Sequence, residues 1–76
     1  MTTASVVVIG SRVRLQDSDG DSVFSIVEPA EADIGKERVS AESPLGRALL
    51  GRRAGDGVRF RAPGGVRSVT VMEVNG

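Results

Sequence analysis

One short stretch, ESPLGRALLG at residues 42 to 51, decides what this chain can fold into. Ser43 is a favoured N-cap, and Pro44 falls at the first helical position, where its missing N–H costs nothing. Leu45, Ala48 and Leu49 stand at i, i+3 and i+4, which lines up one apolar stripe. Gly51 is placed to stop the helix as its C′ residue, and Arg52 and Arg53 follow at the negative end of the helix dipole. Gly46 sits inside, where glycine costs about 1 kcal/mol relative to alanine. Two turns of helix do not survive alone in water. This helix must therefore pack on a sheet.

The rest of the chain supplies the strands. Val13 and Leu15 alternate with Arg12 and Arg14, the pattern of a half-buried strand. DSDGD follows, a cluster of turn formers with Asp19-Gly20 at its centre. SVFSIVEPAEA alternates again, with Phe24 and Ile26 on one face and Val23, Ser25 and Val27 on the other, until Pro29 ends the run. A polar loop occupies 29 to 37, and Arg38 to Ala41 is a short strand at most. Beyond the helix, Val58 and Phe60 alternate with Arg59 and Arg61, PGG reads as a tight turn, and VRSVTVMEV is the return strand. Strands on both sides of one helix, joined by hairpins, predict an α+β domain with an antiparallel sheet. Residues 1 to 5 are patternless and read as a frayed terminus or linker stub, with one domain from 6 to 76.

At 76 residues the core is small, and a stability of a few kcal/mol is expected. With no cysteine and no histidine, disulfides, thiolate metal sites, imidazole bases and the commonest zinc ligands are excluded. The longest apolar run, Val6 to Ile9, is too short to span a bilayer, and no signal peptide follows Met1. A cytoplasmic chain with no membrane partner is the expectation. Formal net charge is zero, yet residues 1 to 37 hold three basic and seven acidic groups, and residues 38 to 76 the reverse. The basic groups of the second half are all arginine, suited to bidentate contacts with carboxylate or phosphate. A neutral whole nevertheless argues against a dedicated nucleic-acid binder, and two Phe without Trp or Tyr leave little to stack bases on.

Candidate chemistry is thin. Asp17, Asp19, Asp21 and Glu28 have the spacing of an EF-hand loop, but the position needing glycine holds Ser22, and strand patterns flank it. A structural hairpin is the better reading. APGGV lacks a following helix and a P-loop lysine, so it reads as a turn. Ser11, Ser40 and Ser43 have no base to activate them, and Glu31 with Asp33 reads as a solvated pair. No catalytic residue, metal site, cofactor or small-molecule substrate is expected, and the chain is not read as an enzyme.

Taken in order, IGSRVRLQD, FSIVEPAEAD, VSAESPLGRALLG and GDGVRFRAPGGVRSVTVMEV resemble the C-terminal domain of the bacterial Gre transcript-cleavage and elongation factors, over roughly residues 7 to 74. The resemblance implies an FKBP-like fold, a curved antiparallel sheet packed against one short helix. It also implies a partner, the coiled coil of the RNA polymerase largest subunit at the rim of the secondary channel. The loop before the helix supplies the contact in that family, which carries over to Glu42, Ser43 and Pro44, with Glu42 where Asp or Asn is common. Transcript cleavage in the family belongs to an N-terminal coiled-coil arm, for which these residues hold no heptads. The chain is then an excised domain of a longer factor or a shortened form of one, and alone it is expected not to stimulate cleavage.

Two alternatives stand beside this. One is a Gre-like regulator resembling the regulator of nucleoside diphosphate kinase, with the same docking face and an altered arm. The other is an FKBP-type prolyl isomerase, whose aromatic-lined pocket could draw only on Phe24 and Phe60. Arg59, Arg61 and Arg67 form a secondary candidate for nucleic-acid contact.

Overall fold

A computed structural model describes residues 6–33 and 36–75. The expected frayed terminus, residues 1 to 5, lies outside the described residues. In chain order the elements are β1 (Arg12–Asp17), β2 (Gly20–Val27), a 3₁₀ turn (Pro29–Glu31), β3 (Arg38–Ser40), α1 (Pro44–Leu49), β4 (Gly57–Ala62) and β5 (Gly65–Asn75). The strands form one five-stranded sheet in the order β3-β2-β1-β5-β4. Helix α1 packs against β4 and β3, the two edge strands, so the sheet curls around it. This is the expected α+β, FKBP-like architecture.

The sheet is mixed, where the sequence predicted an antiparallel one. β1–β2, β1–β5 and β4–β5 are antiparallel, but β3 runs parallel to β2, with Ser25, Ile26 and Val27 facing Arg38, Val39 and Ser40. The cause is the length of the connection. Residues 28 to 37, turned by the 3₁₀ segment, are long enough to bring the chain back along β2, which a tight hairpin cannot do. The first hairpin also shifts by one residue from its expected centre. Asp17 faces Gly20 across a two-residue loop of Ser18 and Asp19. The Asp17 carboxylate accepts the Asp19 N–H at 2.8 Å, and this local bond moves the turn toward the N-terminus.

Strand alternation sorts side chains as expected. Val13, Leu15, Ile26, Val58, Val69 and Val71 turn inward and are buried, with Leu49 of α1 against them. Fully burying a side chain such as Ile26 or Leu49 contributes about 1.5–3 kcal/mol. Phe24 and Phe60 lie on the same inner face but are only partly covered, because a six-residue helix does not reach across the whole sheet. Buried Val7 ties the helix exit: its N–H donates to the Arg52 carbonyl, and its own carbonyl accepts the Gly51 N–H. No helix among the described residues is long and apolar enough to cross a membrane.

Candidate functional site

The loop from Ser40 to Pro44 is held by a compact set of bonds around one residue. The Ser40 carbonyl accepts both the Ser43 hydroxyl, at 2.7 Å, and the Ser43 N–H, at 3.1 Å. The Ser40 hydroxyl oxygen accepts the Glu42 N–H at 3.0 Å. The Ser43 oxygen in turn accepts the Gly46 N–H at 3.0 Å, which is the expected N-cap. Ala41 is buried beneath the loop, and its N–H donates to the Val27 carbonyl, anchoring it to β2.

Gly46 explains why the helix tolerates a glycine. A Cβ at this position would run into the Ser40 carbonyl oxygen and stand 3.0 Å from the Ala41 Cα. The helix and the loop before it meet backbone to backbone, and only glycine permits that approach. The propensity cost seen in the sequence is thus the condition for fixing the loop.

Of the three loop residues carried over from the resemblance, Glu42 and Pro44 are exposed and Ser43 is half-buried. Both hydrogen-bonding capacities of the Ser43 hydroxyl are used inside the loop, so its work is to hold Glu42 and Pro44 in place. Leu45, the next residue, lines a cleft of about 560 Å³ on the inner face of the sheet, beyond the end of the helix. Its apolar wall includes Leu15, Phe24, Phe60, Pro63 and Val69, and its rim Asp17, Asp19 and Arg67. The sequence reading missed this cleft. Its signal was the shared inward parity of Phe24 and Phe60, combined with a helix too short to cover both.

The register separates the three candidate arginines. Arg59 and Arg61 face Ser68 and Val66 on the outer side of the sheet, whereas Arg67 faces Phe60 on the inner side. There the Arg67 guanidinium meets Asp17 at 3.2 Å and Asp19 at 3.6 Å. The would-be calcium ligands are divided in the same way. Asp17 points inward and is engaged by Arg67, while Asp21 faces outward and meets Arg14 at 3.5 Å. Among the described residues no group of three or more acidic side chains is arranged to hold a metal ion.

The sequence model described as transcription elongation factor, GreA/GreB, C-term, matches residues 2–76. Transcription elongation factor GreA of Thermotoga neapolitana is 48% identical over 62 residues, covering 82% of this chain and 40% of the relative. GreA of Magnetococcus marinus is 38% identical over 73 residues, covering 93% of this chain and 46% of the relative. The chain thus spans less than half the length of these relatives. Among solved structures, the GreA factor homolog Gfh1 of Thermus thermophilus superposes with a TM-score of 0.84 at 36% identity, covering 97% of this chain and 51% of that one. A GreA/GreB elongation factor from Nitrosomonas europaea gives 0.78 at 32% identity, covering 99% of this chain and 64% of that one. The span of the family match and the likeness to these solved structures agree: this chain belongs to the GreA/GreB family of transcription elongation factors, as their C-terminal domain.

Proposed function

We infer that this domain is the polymerase-docking module of a transcription elongation factor, acting in the cytoplasm at the rim of the RNA polymerase secondary channel. The observation that carries the reading is the loop fixed by Ser40, Ser43 and Gly46, which presents Glu42 and Pro44 to solvent. A docking loop that is already ordered does not lose conformational entropy on binding, so a small contact suffices. Pro44 is rigid and apolar, Glu42 offers a carboxylate to a basic partner residue, and the adjoining cleft at Leu45 extends the surface with an apolar floor. A patch of this kind buries less than roughly 1,200 Å² and binds weakly by itself. Joined to an arm that enters the channel, it gains through effective concentration. The domain catalyses nothing of its own in this reading, and alone it occupies the rim without stimulating transcript cleavage.

The test is binding of the chain to RNA polymerase, and to the isolated rim coiled coil, with Glu42→Ala and Pro44→Ala in parallel. Specific binding that either substitution weakens about tenfold, with unchanged melting, is the expected result. A folded chain that does not bind, or that binds equally well after both substitutions, removes the loop from the docking site.

A further inference from the structure

Four of the six residues of α1 face the protein. Leu49 is buried, Leu45 and Ala48 are half-buried against the core, and Gly46 meets the backbone of the preceding loop. Pro44 and Arg47 are the two that are exposed. They stand at i and i+3, neighbours on the helix surface, so a partner that covers Pro44 from the solvent side also meets Arg47. Glu42, likewise exposed, lies on the loop two residues before Pro44.

The two charged groups flanking Pro44 are not spent on each other. Arg14 and Arg67 hold their carboxylates, whereas neither the Arg47 guanidinium nor the Glu42 carboxylate has an ion pair among the described residues. Arg47 is fixed through its backbone alone, its N–H donating to the Ser43 carbonyl at 2.8 Å. It does have a local role as the basic residue of the last turn, where a cation favours the helix dipole. Any cation serves there, and the planar fork of donors that distinguishes arginine is left unused.

We propose that Arg47 is a specificity-determining residue of the docking site, binding a carboxylate of the polymerase rim beside the surface that meets Pro44. The inference rests on the docking reading above and adds the chemistry of the partner: a carboxylate for Arg47 and a basic group for Glu42, with an apolar contact at Pro44 between them. A guanidinium takes a carboxylate bidentately, which fixes angle as well as distance. A polyanion is disfavoured as the ligand, because Glu42 stands beside Arg47 and the cleft that Leu45 lines carries Asp17 and Asp19 on its rim. Opposite charges at two fixed places also give the site a direction. A partner helix laid the wrong way round brings acid to Glu42 and base to Arg47, and like charges repel it. Orientation, more than strength, is what the pair supplies.

The test measures binding of the full chain to RNA polymerase, with Arg47→Ala and Arg47→Glu beside Pro44→Ala. Arg47→Ala is expected to weaken binding about fivefold, as for an exposed ion pair, and Arg47→Glu at least about tenfold. Because Arg47 is exposed, both variants keep their fold, checked by circular dichroism and melting. Each exposed Asp or Glu of the rim coiled coil is then replaced by Lys in the polymerase. One of these reversals is expected to restore the binding of Arg47→Glu while weakening that of the parent chain, which a role confined to the helix dipole cannot produce. If the parent chain binds and Pro44→Ala weakens it, yet both Arg47 variants bind like the parent or no reversal rescues Arg47→Glu, this proposal falls and the docking reading stands. A folded parent chain that does not bind overturns both.

Discussion

Replacing Gly46 by alanine sets two physical effects of opposite sign against each other. By helix propensity alone the substitution stabilises the domain by about 1 kcal/mol. The structure predicts the reverse, because the new methyl meets the Ser40 carbonyl oxygen and the Ala41 Cα, both backbone atoms. Forcing a methyl into occupied space costs about 1–3 kcal/mol. If the loop yields instead, the bonds of Glu42 and Ser43 to Ser40 are lost, at about 1 kcal/mol each. Set against the propensity gain, either route leaves a net loss of about 1–2 kcal/mol. In a domain of this size that lowers Tm by roughly 4–16 °C. Urea denaturation of Gly46→Ala beside Gly57→Ala reads the sign directly. Gly57 has open space around it and an ordinary φ, so its alanine is expected to change stability by less than about 0.5 kcal/mol. A Gly46→Ala protein as stable as the parent, or more so, would refute the backbone contact and with it the account of how the loop before the helix is held.

The remaining predictions concern the same framework. Ser43→Ala removes the cap and the bond to the Ser40 carbonyl and is expected to cost about 1–2 kcal/mol in denaturation, whereas Ser43→Asp, which can still accept the Gly46 N–H, should recover part of that. Glu37 holds φ at 60° just before β3, so Glu37→Gly is expected to raise stability by about 0.5–1 kcal/mol in a thermal melt, and a lowered Tm would show that the side chain contributes more than its backbone costs. Leu49→Ala empties a fully buried position at a cost of about 2–5 kcal/mol, comparable to the whole stability expected of the domain. Its amide NMR spectrum at 25 °C should therefore show a substantial unfolded population.

What could be read before the structure follows from local chemistry. Ser43, Pro44 and Gly51 mark the helix through backbone preferences that act within a few residues, and all three fall where expected. Val13, Leu15, Val58 and Val69 declare their burial by alternation, which needs only the parity of one strand. The parallel pairing of β3 was not readable, because three residues carry no signal of the neighbour they choose. Gly46 misled for a related reason: its cost is local and visible, but the contact that requires it comes from Ser40 across a turn. The cleft depended on where the helix stops relative to Phe24 and Phe60, a tertiary fact.

Arg67 shows most clearly what register adds. In the sequence it falls into one group with Arg59 and Arg61, since β4 and β5 are both strands rich in arginine. Parity alone cannot join or part them, because a one-residue shift of the hairpin would carry every β5 side chain to the other face. The pairing of Ala62 with Gly65 across Pro63-Gly64 settles it, and Arg67 goes to the inner side with Asp17. Net charge misleads in the same way, since it sums over two faces that no single ligand touches together. The loop before the helix lies on the inner side of the sheet, and Arg59 and Arg61 lie on the outer side. Residues so placed share no partner, and their effects should add. Combining Pro44→Ala with Arg59→Ala is thus expected to change the free energy of urea denaturation by the sum of the two single effects. Coupling above about 0.5 kcal/mol would mean that the curled sheet transmits strain between its faces, and the two surfaces would have to be treated as one.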